Sequence, residues 1–248
     1  MMDTWRCRLD NFVVGGCNEL AYKATRLTMQ PHFPAYYNPL LLIGETGSGK
    51  THLLQGLYES LKTRSPLIAS KVVYSTAQQF VAAYSNACRE DKAEVFTKKY
   101  SECTALLMDD INDLANKKAS QRQFVSIFDN LLNRGNRIIL SSRCSPNKLE
   151  GTEERLISRL NAGLGVHLDK PDYQVRLSIL KTFCLSSRKR ADSEIIAYLA
   201  RRVDTNLHDL FEAARKILIS PMESRFSGSK KVSFETIDRT VKGILQKE

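Results

Sequence analysis

Residues 44–51 read Gly-Glu-Thr-Gly-Ser-Gly-Lys-Thr, with the apolar run Leu40-Leu41-Leu42-Ile43 before them and Leu54, Leu57, Tyr58 and Leu61 at helical spacing after them. That order of strand, loop and helix leaves few folds open. A continuous apolar run of this length suits a strand covered on both faces, which is the situation of parallel sheets. Glycine at 44, 47 and 49 lets the backbone turn tightly and approach a ligand where side chains would obstruct it. A helix opening at the loop directs its positive end at the same point, so the stretch suits an anion.

The octapeptide fits G-x-x-x-x-G-K-[ST] at every fixed position, and each position has a chemical role. Backbone N–H groups of Gly44, Glu45, Thr46, Gly47, Ser48 and Gly49 cradle a diphosphate or triphosphate, Lys50 reaches the β and γ phosphates, and Thr51 places its hydroxyl on Mg²⁺. His52 follows on the same turn and is grouped with the nucleotide contacts. A glycine-rich surface turn without a ligand is the bland alternative, and the flanking strand and helix argue against it.

Further apolar runs mark Lys71–Tyr74, Ala105–Asp110, Arg137–Ser142 and Gly165–Leu168 as strands, the third ending in carboxylates and the fourth in hydroxyls, separated by segments of helical periodicity. The expected fold is therefore α/β, a five-stranded parallel sheet sandwiched by helices, with ligands at the carboxyl ends of the strands. The third strand ends in Asp109-Asp110. Apolar residues followed by an acid at a strand end are the pattern that holds Mg²⁺ through Asp109, and Asp110 would face the attacking water. Phe124, Ile127, Phe128, Leu131 and Leu132 form a core helix stripe, whereas the charged stretch Arg89–Lys99 reads as a solvated helix. Segments carrying Val14, Gly15 and Asn38 lead into the first strand. Two readings of them stand: they enclose an adenine base beside the phosphate loop, or they only cover the sheet edge.

After Pro171 the pattern is helical: about Asp172–Cys184, Asp192–Val203 and Thr205–Ser220, with Asp192 and Thr205 as N-caps. A loop with Pro221, Ser227, Gly228 and Ser229 precedes a last element from Val232 to Leu245. This makes residues 1–170 a nucleotide-binding domain and 171–248 a small helical lid. The six cysteines show no C-x-x-C pair and read as packing thiols, and no stretch approaches a membrane span, so a cytoplasmic protein is expected. A net charge of +10 allows contact with an anionic polymer, although charge spread this evenly discriminates little.

The chain resembles the AAA+ ATPase core of the bacterial replication initiator DnaA family. The resemblance rests on Leu9–Gly15, Tyr37–Leu40, Gly44–Leu54, Leu106–Ile111, Arg155–Arg159 and Pro171-Asp172 with Arg176, all in one order over nearly the whole chain. It implies a P-loop AAA+ fold with a helical lid, ATP or ADP with Mg²⁺ as cofactors, and a part in initiation of bacterial chromosomal replication or its regulation. It also implies ATP-dependent assembly with further copies of the chain, or action on a full-length initiator, with single-stranded DNA as a possible ligand. Arg159 becomes the arginine finger that completes a neighbour's nucleotide, with Arg155 one turn away on the same face. Without the resemblance, both arginines read equally as a solvated helix surface.

The chain departs from the family pattern at informative places. Ser141-Ser142-Arg143 puts a cation where the initiators carry an acid after the fourth strand, and His208 stands at the lid arginine that senses the γ-phosphate. Histidine is shorter and mostly neutral at pH 7, so it lacks that permanent charge. ATP binding with weak hydrolysis is expected. Lys117 and Lys118 keep a basic stretch, while Ala119 and Ser85 replace the basic and apolar residues with which initiators grip DNA; DNA contact and a solvated lysine pair both stand. The chain stops after the lid, where initiators continue into a helix-turn-helix domain, and Asp3–Arg8 lacks the Q-L-x-L-P clamp peptide of the Hda regulator. The alternative reading is an Hda-like or helicase-loader-like adaptor that holds nucleotide structurally.

Overall fold

Leu40–Ile43 forms β1, and its four side chains divide between two cores, Leu41 and Ile43 on one face of the sheet and Leu40 and Leu42 on the other. The computed structural model describes residues 7–64, 71–186, 192–219 and 234–246. The six residues that open the chain, the loop with Pro221 and Ser227 to Ser229, and the expected element start at Val232 lie outside these residues.

The same alternation recurs in β3 (Ala105–Asp109), where Leu106 and Met108 oppose Ala105 and Leu107, and in β4 (Arg137–Ser142), where Ile138 and Leu140 oppose Ile139. With β2 (Val72–Thr76) and β5 (Leu164–His167) the strands form one parallel sheet in the order β2-β3-β4-β1-β5. Helices α1 (Glu19–Leu27) and α2 (Lys50–Arg64) cover one face. On the other lie α3 (Ala77–Arg89), α4 (Ala93–Ser101), α5 (Lys118–Asn133) and α6 (Glu154–Leu160), around a cluster in which Phe80 meets Phe96, Tyr100 and Phe124. The lid is α7 (Tyr173–Ser186), α8 (Ser193–Arg202), α9 (Leu207–Ala214), a π-helical turn at Arg215–Ile219, and α10 (Phe234–Leu245), with a separate core that includes Leu180, Leu199, Leu210 and Val241.

Several expected boundaries move for identifiable reasons. β2 runs to Thr76 because Ser75 and Thr76 pair with Met108 and Asp109, and the Thr76 hydroxyl then caps α3 by accepting from Gln79 N–H. The expected solvated helix over Arg89–Lys99 breaks at residues 90–92; the stretch is mostly exposed as expected, but α4 buries Phe96 within it, and Tyr100 just beyond it, against Phe80. Thr205 does not cap α9: Asn206 does, its Oδ1 accepting from Asp209 N–H at 3.0 Å, while Thr205 donates to the Asp209 carboxylate. Asp192 caps α8 as expected. Among the described residues, no helix is long and apolar enough to cross a membrane, and all six cysteines are free thiols.

Candidate nucleotide-binding site

Parallel strands bring all their carboxyl ends to one edge of the sheet, and there the loop after β1 lies beside the ends of β4 and β3. Gly47 and Gly49 have φ of +76° and +105°, a backbone region that side chains resist. Lys50 is only 5% exposed, and its Nζ donates to Gly44 O at 2.6 Å and Glu45 O at 2.8 Å, so the ammonium sits within the loop's own curl. Burial pulls its pKa below the usual lysine value, opposed by Asp110 and Asp109. Ser48 Oγ is buried with no hydrogen-bond partner among the described residues, an uncommon condition that a phosphate oxygen would relieve. Exposed Thr51 stands on the first turn of α2. Glu45 and Thr46 are also exposed, with Glu45 3.2 Å from Lys170 Nζ.

His52 does not join the loop. Its Nε2 lies 2.9 Å from Arg8 O and 2.8 Å from Asn11 Oδ1, its ring meets Phe12 edge-on, and burial lowers its pKa. Its role is to pin the leading segment to α2.

Asp109 is 3% exposed and both of its carboxylate oxygens are engaged. Ser141 Oγ donates to Oδ1, and Tyr74 OH donates to Oδ2 at 3.2 Å. Burial, reinforced by Asp109, raises the Tyr74 pKa and keeps the phenol a donor. Asp110 takes up a left-handed backbone with φ of +53°, which Asp tolerates better than most residues, and its N–H donates to Ser141 Oγ at 2.8 Å. Burial first, and Asp109 second, raise the Asp110 pKa. The guanidinium of Arg143 counters this, its Nε 3.6 Å from Asp110 Oδ1 and its Nη2 3.4 Å from Asp113 Oδ1. The cation at the otherwise acidic position is thus already paired with the two nearest carboxylates.

The donors suit Mg²⁺. Thr51 and Asp109 offer hard oxygens, and among the described residues no group of three His, Cys, Asp or Glu side chains forms a protein cage. Mg²⁺ is commonly held by one or two side chains together with phosphates and water, and Thr51 and Asp109 would meet that requirement.

The leading segment and the lid complete the surroundings. The Phe12 ring lies against Gly49, and Gly15 packs so tightly on the Val175 methyl of α7 that a Cβ would collide with it. Val13–Gly15 therefore runs between loop and lid, with Val14 42% exposed. Asn38 is elsewhere. It precedes β1, at the amino end of the sheet, where its Nδ2 donates to Asn136 O and its Oδ1 accepts from Ile138 N–H; the expectation that it borders the nucleotide is corrected. The lid touches the loop directly, since Leu207 N–H donates to Gly47 O at 3.2 Å and a Cβ on Gly47 would come within 2.9 Å of Asn206. His208 is exposed on the first turn of α9. Glu45, Thr46, Arg143, Lys170, Thr205 and Asn206 line an open cleft of about 440 Å³ beside the loop. Replacing Asn206 by alanine removes the α9 cap, and a loss of about 1 kcal/mol in lid stability is expected in denaturant titration.

Arg159 lies on α6, bound to Asp129 of α5 through Nε at 3.0 Å and Nη2 at 3.3 Å, and Arg155 reaches the same carboxylate at 3.1 Å. These contacts hold the Asp129 pKa below the ordinary carboxylate value, Arg159 contributing most. The shared face of the two arginines is as expected; their common partner was not visible in the sequence. Arg176 is structural, donating to Ala200 O and Pro171 O. Lys117 and Lys118 are exposed at the start of α5.

Comparison with known proteins agrees with this arrangement. Residues 4–167 match the bacterial DnaA ATPase domain family. The chromosomal replication initiator protein DnaA of Francisella tularensis subsp. novicida is 34% identical over 209 residues, covering 84% of this chain and 42% of that protein. Hence the chain spans about two fifths of the length of that curated relative. Domain III of the Thermotoga maritima initiator DnaA superposes with a TM-score of 0.87 at 30% identity, covering 96% of this chain and 97% of that one. A replication initiator DnaA bound to AMPPCP and single-stranded DNA superposes with a TM-score of 0.79 at 29% identity, covering 96% of this chain and 68% of that one. Because the family model spans residues 4–167 and domain III of an initiator superposes over nearly the whole chain, the chain belongs to the family of bacterial DnaA ATPase domains.

Proposed function

We propose that this chain is an ATP-binding switch in the initiation of bacterial chromosomal replication, taking ATP or ADP with Mg²⁺ and assembling with further copies when ATP is bound. The observation that carries the reading is the hydrogen bond from Leu207 N–H to Gly47 O, because it couples the lid to the loop that cradles the phosphates. Any adjustment of the loop around a phosphate is then felt at the amino end of α9. Lys50 would exchange its two carbonyl partners for phosphate oxygens, and Val14 and Gly15 would border the base between loop and lid. Bound at Thr51 and, through water, at Asp109, Mg²⁺ would neutralise phosphate charge. Asp110 would orient the attacking water, but Arg143 draws on the same carboxylate and weakens it as a base, which favours slow hydrolysis. Arg159 would serve the nucleotide of an adjacent copy. That a relative was solved with AMPPCP and single-stranded DNA supports both ligands.

Light scattering with ATP, with ADP and without nucleotide, each with and without single-stranded DNA, tests the reading. Assembly with ATP alone, strengthened by DNA and weakened by salt, is expected. A chain that binds ATP, stays monomeric in every condition and accelerates ATP hydrolysis by a full-length initiator would replace the reading with that of an adaptor.

A further inference from the structure

Asp109 stands at the end of β3 with a carboxylate that one bond rotation would turn, and this terminal torsion is intrinsically broad in aspartate. Two hydroxyls from neighbouring strands stop that rotation. Ser141 of β4 donates to Oδ1 and Tyr74 of β2 donates to Oδ2 at 3.2 Å. Tyr74 is held in turn from the opposite side, where Gln55 Nε2 of α2 donates to its hydroxyl oxygen at 3.4 Å. Gln55 lies on the helix opened by Lys50 and Thr51, so the chain Gln55–Tyr74–Asp109 links the phosphate-loop helix to the strand-end carboxylate.

We propose that Tyr74 is a positioning residue for the metal, its hydroxyl fixing the Asp109 carboxylate in the orientation that Mg²⁺ requires. The proposal rests on the reading of Thr51 and Asp109 as the Mg²⁺ donors. Partners of a metal-binding carboxylate usually set metal affinity within a factor of roughly 10–100 when removed. The tyrosine ring has its own packing partner in Tyr58, with centroids 5.6 Å apart, and it borders a cavity of about 890 Å³ together with Cys7, Gln55 and Tyr58. Removal of the hydroxyl alone therefore leaves the ring seated and opens little new void.

Tyr74→Phe is the test, read by Mn²⁺ electron paramagnetic resonance and by Mg²⁺ titration of a fluorescent ADP analogue on the whole chain. The metal concentration for half-saturation is expected to rise roughly tenfold, while binding of the analogue in EDTA and the melting temperature stay at wild-type values. Gln55→Leu, which leaves the Tyr74 hydroxyl in place but removes its support, is expected to give a smaller rise of the same kind. Half-saturation of Tyr74→Phe within twofold of wild type overturns the proposal. So does an equal loss of metal-free binding and melting temperature, which would make the hydroxyl a support of the fold. Wild-type protein that binds the analogue with no metal dependence overturns the Mg²⁺ reading itself, a result distinguishable from the other two.

Discussion

Replacing Lys50 by alanine is expected to lower the affinity for ATP and ADP by about 2–5 kcal/mol, the range typical of truncating one partner of a buried charge pair. That corresponds to roughly 30-fold to several thousand-fold in Kd. The reasoning starts from burial. At 5% exposure, with two backbone carbonyls as partners, the ammonium is organised by the loop before any phosphate arrives, so little is spent on ordering it. In the alanine variant the phosphates would face Asp109 and Asp110 without the nearest countercharge. The fold should survive, because Leu53, Leu54 and Leu57 anchor α2 to the sheet independently of Lys50. Isothermal titration calorimetry beside a thermal melt separates the two. Affinity within threefold of wild type would remove Lys50, and with it the loop, from the nucleotide site.

Periodicity made the sheet and its loop readable, because a strand buried on both faces and a helix with one apolar stripe leave different traces in sequence. Direction along a strand was harder to use. Asn38 adjoins β1 in sequence, but a residue before a parallel strand sits at the opposite edge of the sheet from one after it, and Asn38 binds the amino end of β4. His52 failed for a helical reason: with 3.6 residues per turn, a position two after Lys50 points away from it by about 200°. In β2 the polar end Ser75-Thr76 hid the strand's true length; the register sets Thr76 beside Asp109 and Tyr74 beside Leu107, two residues back on the same face, from where the Tyr74 hydroxyl reaches the Asp109 carboxylate. Nothing in the spacing of Asp129 and Arg159, 30 positions apart, announces that they meet. Such contacts depend on how α5 and α6 pack, and only tertiary structure supplies that.

The pairing of Arg159 with Asp129 leads to the second large effect. A finger residue that serves an adjacent copy must first leave its own chain, so the strength of the contact within the chain matters. Both side chains are about one third exposed, where ion pairs contribute little to stability, and Arg155 remains on Asp129 when Arg159 departs. The depressed pKa of Asp129 means that the contact is present above the ordinary carboxylate range and is lost as pH falls through the lowered value, so near neutral pH it competes fully for Arg159. A bound triphosphate carries more negative charge than one carboxylate and outcompetes it. Arg159→Ala is therefore expected to abolish ATP-driven assembly in analytical ultracentrifugation while ATP affinity of the single chain stays within twofold. Asp129→Asn, which weakens the competitor and keeps its shape, is expected to shift assembly to lower protein concentration. If Arg159→Ala assembles as readily as wild type, the arginine belongs to the α5–α6 contact alone, and the interface between copies must be built from other residues.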